Sequence, residues 1–88
     1  MEHNQPLFGI NVDPSASDPQ QPFHRERLAD DAGLDLITIQ DHVYNRSHLE
    51  TWTLLSTLAA VTQRVRLGTN VLTTPLRPPA VLAKMAAT

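Results

Sequence analysis

Cysteine is absent from all 88 residues of the chain. This absence excludes disulfide bonds and thiolate metal ligands, and it is typical of a cytoplasmic protein. No apolar run is long enough to predict a transmembrane helix. The first residues, MEHNQPLFGI, lack the basic region and apolar stretch of a secretory signal. The seven Lys and Arg residues are scattered and the net charge is −2, which predicts no nucleic-acid surface.

Several motifs that carry chemistry are also missing. There is no GxGxxG and no GxxxxGK[ST], which disfavours Rossmann dinucleotide sites and P-loops. There is no GxSxG nucleophile elbow. The four histidines include no HExxH or comparable spacing, so no metal site is expected.

The chain instead alternates apolar β-rich runs with helical patterns. We predict strands over residues 7–12, 36–39 and 65–71, the second of them apolar on both faces. We predict helices over residues 22–32 and 49–63, and a third that begins near Pro79 and continues to the last residue. Pro22 suits a first helical turn, Gly33 supplies a left-handed stop, and Ser47 with Glu50 has capping-box spacing.

This β-α-β-α-β-α order predicts an α/β fold of three consecutive parallel βα units with right-handed connections. Closing a barrel takes about eight strands, so three cannot do so. No stop signal follows the last helix, which favours a piece of a larger sheet. We therefore predict that residues 1–88 form an incomplete domain, a partial TIM (β/α)8 barrel.

Ligands of such folds bind at the carboxyl ends of the strands. Asp41 and His42 are a candidate pair for cofactor contact and proton transfer; alternatively, Asp41 caps its loop and His42 is half exposed. Thr69, Asn70 and Val71 form either a ligand-contacting turn or a simple β-bulge. The residues expected to share one rim are Asn11, Asp13, Gln40, Asp41, His42, Thr69, Asn70 and Thr73.

Two further side chains are ambiguous in the sequence. Trp52 falls on the apolar stripe of its helix, which favours core packing or a helix–helix contact over ligand stacking. Arg77 precedes two prolines at a helix start, where it could meet a phosphate; we expect it to be solvated.

The segments LADDAGLDLITIQDHV and ETWTLLSTLAAVTQRVRLGTNVLTTPLRPPAVLAKMAAT resemble the N-terminal part of the luciferase-like monooxygenase family. The resemblance covers residues 8–88, and LGTxV…RxPAVLAK is its most specific part. It implies a TIM-like barrel oxidoreductase that uses FMN or coenzyme F420 and a small organic substrate. The two cofactors are not distinguishable from the sequence.

The resemblance also implies residue roles. Asp41 would contact the cofactor, and His42 would be catalytic, handling a proton or stabilising an oxyanion beside the ring. The Asn70–Val71 bond matches a non-prolyl cis peptide behind the ring, flanked by Thr69 and Thr73.

We therefore predict an N-terminal fragment of a flavin- or F420-dependent oxidoreductase that is inactive alone, because the missing strands carry the phosphate site and most of the substrate pocket. An alternative is an oligomerisation module that keeps only a helical dimer surface, and another is a relic without function. The resemblance implies a homodimer through Trp52, Leu55, Leu58, Val81 and Met85.

Overall fold

A computed structural model describes residues 4–88 as one parallel β-sheet with helices in the connections. The sheet order is β1-β2-β3, and both pairings are parallel. The prediction of a small α/β fold with three parallel strands is confirmed. The elements are β1 Gly9–Asn11, α1 Gln21–Ala32, β2 Leu36–Ile39, α2 Thr51–Ala59, β3 Arg66–Thr69, a 3-10 turn Thr74–Leu76 and α3 Pro79–Ala87.

β1 and β3 are shorter than predicted, whereas β2 has the predicted bounds, and helices cover only one face of the sheet. Ile37 and Ile39 of β2 are fully buried beneath the helices, whereas Leu36 and Thr38 lie half-buried on the opposite face. We call this second surface the open face. Parallel register places Asn11 and Gly68 beside Thr38 on it. A strand that is apolar on both faces is typically covered on both sides, but within residues 4–88 helices cover β2 on one face only.

Helix α1 follows the sequence signals closely. It begins one residue before Pro22 and ends at Ala32, because Gly33 adopts the left-handed conformation with φ 76°. The Gly33 N–H donates to the Asp30 carbonyl at 3.1 Å, and the Leu34 N–H to the Ala29 carbonyl at 3.0 Å. These bonds satisfy carbonyls at the end of the helix, as in a Schellman-type stop.

Helix α2 corrects the predicted capping box and both predicted ends. It begins at Thr51, and Glu50 is itself the N-cap, whose carboxylate accepts from the Thr53 N–H at 2.7 Å. Ser47 lies outside the helix, where its carbonyl accepts from Ala16 at 2.7 Å. The helix ends at Ala59, and the Leu58 carbonyl accepts from the N–H groups of Val61 and Thr62, both at 3.0 Å, and from the Thr62 hydroxyl at 2.7 Å.

The buried apolar core lies between the covered face of the sheet and helices α1 and α2. Leu58 has no exposed surface and Leu55 is 9% exposed, so both of these residues implied for a dimer surface pack in the core of residues 4–88. Helix α3, by contrast, buries none of its residues. The buried apolar side chains are Val12, Ala29, Ile37, Ile39, Leu54, Leu55, Leu58 and Val65. None of the helices described for residues 4–88 has the length and apolar character that crossing a bilayer requires.

The contact between β1 and β2 is too close for a side chain at Gly9. A Cβ there would lie 2.0 Å from the Leu36 carbonyl oxygen, so the backbone would have to move. We expect Gly9→Ala to lower the free energy of unfolding by about 2 kcal/mol. Urea denaturation measures this loss.

Gly68→Ala is the matched control, because its added Cβ would be in ordinary contact, 3.9 Å from Leu36 Cδ1 and 4.0 Å from Thr38 Cγ2. Equal midpoints for the two alanine variants would contradict the close approach of β1 to β2.

Candidate functional site

The carboxyl ends of the three strands lie at one edge of the sheet, which we call the rim. The Asn70 N–H donates to the Ile39 carbonyl at 2.9 Å, and the Val12 N–H to the Thr38 carbonyl at 2.8 Å. Asp41 and Asn70 therefore follow neighbouring strands at the same end of the sheet, as the parallel topology predicts.

Asp41 is the most enclosed polar residue of the rim, with 1% of its surface exposed. Its Oδ2 accepts from the Thr73 N–H at 2.8 Å, and its carbonyl accepts from the Thr73 hydroxyl at 2.7 Å. Burial by itself would raise the pKa of Asp41, but hydrogen bonds from Arg77 and Thr73 outweigh it and hold the pKa below its usual range. Asp41 is therefore a carboxylate that fastens the loop after β3.

Arg77 is largely enclosed at the rim, which corrects the expectation that it is solvated. Its side chain is 11% exposed; Nη1 lies 2.6 Å from Asp41 Oδ2, and Nη2 lies 2.8 Å from Glu50 Oε2. Hydrogen bonding to Asp41 raises the pKa of the guanidinium above its ordinary value. The Arg77 Cζ also lies 5.9 Å from the centre of the Trp52 ring.

Glu50 is a second rim carboxylate that sequence reasoning assigned only to helix capping. Burial acts to raise its pKa, but hydrogen bonds from the Thr53 N–H and hydroxyl, together with Arg77, lower it overall. One feature of the sequence is consistent with the pairing of Glu50 and Arg77: each residue follows a strand, and the two strands end at the same rim. The pairing can be predicted only once the topology is known, because 27 positions separate the two residues.

His42 is exposed, unlike its buried neighbour Asp41. Its ring stacks on Tyr44 with centroids 5.5 Å apart and on His48 with centroids 5.9 Å apart. His48 Nε2 lies 3.3 Å from the side-chain nitrogen of Asn45, and its Nδ1 is buried with no hydrogen-bond partner among residues 4–88.

The segment after β3 presents an exposed apolar side chain beside polar ones. Thr69 is half-buried, Asn70 is exposed, and 77% of Val71 is accessible. The peptide bond between Asn70 and Val71 is cis. Thr73 follows at the point where the loop is fastened to Asp41. These four residues thus form one continuous stretch along the rim.

A separate apolar cleft of about 810 Å³ lies between α2, β3 and α3. Trp52, Leu55 and Met85, three members of the predicted dimer surface, line it together with Leu67. Val81 is half exposed. Within the part of the chain described, no group of three His, Asp or Glu side chains is placed to hold a metal ion.

Comparison with known proteins places this geometry in a family. Residues 9–88 match the family model described as luciferase-like monooxygenase. No curated protein matches the chain, and no solved structure matches it. Because the matched region spans nearly the whole sequence, the chain belongs to the luciferase-like monooxygenase family.

Proposed function

We propose that this chain contributes three βα units of a (β/α)8 barrel oxidoreductase, and that its rim binds the ring of FMN or coenzyme F420. Membership of the family and the all-parallel strand order support the barrel. The main support for the proposed function is that Asp41, His42 and residues 69–73 lie together at the carboxyl ends of β2 and β3.

The residues at the rim suit a flat, partly apolar ring. Such a ligand needs an accessible apolar surface beside a few fixed polar groups. Val71 supplies the exposed apolar side chain, while Asn70 and Thr69 supply polar atoms next to it. Gly68 adds no side chain to the open face, where a methyl group would have room. This set of residues fits the proposed cofactor.

The residues have distinct roles in this proposal. Thr69, Asn70 and Val71 would hold the ring, and the exposed imidazole of His42 would give or take a proton at the rim. Thr73 and Asp41, predicted as cofactor-binding, would contribute chiefly by fixing the loop, since both are engaged with each other. When bound, the cofactor would supply two-electron redox chemistry, for hydride transfer or for oxygen activation.

A binding experiment tests the proposal. Titrating the chain with FMN and with F420 is expected to quench cofactor fluorescence in a saturable manner. Gly68→Ala is expected to raise the Kd about 10-fold, because its methyl group would occupy the open face next to the rim. Thermal melting of the variant is the control, since its stability should stay within about 0.5 kcal/mol of the unsubstituted chain. A chain that quenches neither cofactor would refute the proposed site.

A further inference from the structure

Arg77 joins the loop after β3 to the connection between β2 and α2, which lies 27 to 36 positions earlier in the sequence. Its guanidinium donates to Asp41 after β2, to Glu50 at the start of α2, and to the Thr73 carbonyl in the loop after β3, the last at 3.3 Å. Asp41 and Glu50 lie near the two ends of the connection between β2 and α2, and Thr73 lies in the connection between β3 and α3. A single side chain therefore couples these two connections at the rim.

The loop over residues 70–77 depends on these contacts for its position. Apart from the 3-10 turn Thr74–Leu76, it contains no regular secondary structure. The bonds of Thr73 to Asp41 hold its middle, and Arg77 holds both its own end of the loop and the Asp41 carboxylate. Removing the guanidinium would leave the Asp41 carboxylate buried without its charge partner.

The charges indicate that Arg77 does not bind a phosphate. Its two terminal nitrogens are occupied by the carboxylates of Asp41 and Glu50, so the three groups together carry a net negative charge. Lysine could not replace it fully, because an ammonium group lacks the planar fork that reaches two carboxylates at once. The geometry therefore suits an internal fastening rather than an anion site.

We propose that Arg77 is a positioning residue of the rim. By holding Asp41, Glu50 and Thr73 together, it places the exposed residues 70 and 71 where the cofactor ring binds, without touching the cofactor. This inference rests on the function proposed above, because the consequence for binding requires a cofactor at the rim.

Amide hydrogen exchange at Thr73 tests the positioning role directly. In Arg77→Gln, the Thr73 N–H is expected to exchange at least about 10-fold faster, because its acceptor Asp41 is no longer held. Arg77→Lys should fall between this variant and the unsubstituted chain. Arg25→Gln, the same change at an exposed position of α1, is the matched control and should leave the exchange unchanged.

Two further readouts separate this role from general stability. Trp52 is the only tryptophan, so its emission should shift in Arg77→Gln when the cation leaves its ring. The Kd for FMN or F420 should rise about 10-fold, with smaller changes in Arg77→Lys. If Arg77→Gln does not fold, Thr73 exchange, Trp52 emission and the Kd of Arg77→Lys test the positioning role instead.

The outcomes for the two proposals are distinguishable. Unchanged Thr73 exchange and unchanged affinity in Arg77→Gln would overturn the positioning role. Absence of cofactor binding by the unsubstituted chain would overturn the proposed function and the effect on affinity. Thr73 exchange would then still decide whether Arg77 holds the loop.

Discussion

Replacing Asp30 by alanine is expected to abolish the cooperative unfolding transition of the chain. The Asp30 carboxylate accepts hydrogen bonds from three consecutive backbone N–H groups that lead into β3, those of Gln63, Arg64 and Val65, at 2.9, 3.0 and 2.8 Å. The hydrogen bond from Glu26, followed by these amides, holds the pKa of Asp30 well below its usual range. The variant would leave all three donors without their acceptor.

Circular dichroism during heating measures this effect. A small domain has only a small free energy of unfolding. Losing the three hydrogen bonds to Asp30 should therefore convert a sharp thermal transition into a broad one. Asp30→Asn should be less severe, because its remaining oxygen can still accept from two of the amides. Asp31→Ala, at the adjacent exposed position, is the matched control and should melt like the unsubstituted chain. A sharp transition at an unchanged temperature in Asp30→Ala would contradict this role.

The second large effect is a loss of stability between acidic and neutral pH. Glu26 is 4% exposed, and its Oε1 is buried without a hydrogen-bond partner. Burial, followed by the hydrogen bond and negative charge of Asp30, raises the pKa of Glu26 from 4.5 to about 7, although Thr62 and Arg27 act in the opposite direction. The folded chain thus keeps a proton on Glu26 that the unfolded chain has already released.

The sign of the effect follows from this proton. Between pH 4.5 and about 7 the folded state binds more protons than the unfolded state, so stability falls as the pH rises. The contribution of Glu26 is fully present below pH 4.5 and is lost as the pH rises through about 7. Asp30 has the opposite effect on stability at lower pH, because its pKa is lowered in the folded state. Its stabilising contribution is lost as the pH falls below its ordinary pKa.

Urea denaturation at several pH values between 4 and 8 measures this dependence. Glu26→Gln is expected to remove it, since a neutral amide of the same shape does not titrate. Comparing the two proteins cancels the titration of all other groups. Parallel pH profiles for the unsubstituted chain and Glu26→Gln would show that Glu26 does not carry the proton.

Local signals in the sequence were sufficient to predict the order and type of the elements. The left-handed stop at Gly33 and the prolines at the start of α3 act through the backbone of one or two residues. The strand at residues 36–39 follows from an apolar β-rich run and is present with those bounds. Parallel pairing then follows from the helical crossovers, and it brings Asp41 and residues 69–73 to one rim.

The long-range contacts that hold the rim and the core together could not be predicted from local signals. The sequence indicated a capping role for Glu50 but placed the helix start too early, and the same carboxylate also binds Arg77. The apolar stripe of α2 did not reveal which side of the helix faces the sheet. The family resemblance implied Leu55 and Leu58 for a dimer surface, and the structure shows that both side chains also pack in the core of residues 4–88.

The sequence by itself determined the α/β class, the parallel order and the edge of the sheet where polar side chains collect, because these depend on backbone preferences and apolar periodicity over a few residues. Tertiary structure alone decided that Arg77 is largely enclosed between two carboxylates and that Asp30 holds the start of β3. These partners are separated by up to 36 positions. The hydrogen bonds between these partners form only in the folded chain, where the topology brings the residues together. No pattern over a few neighbouring residues could therefore predict these bonds.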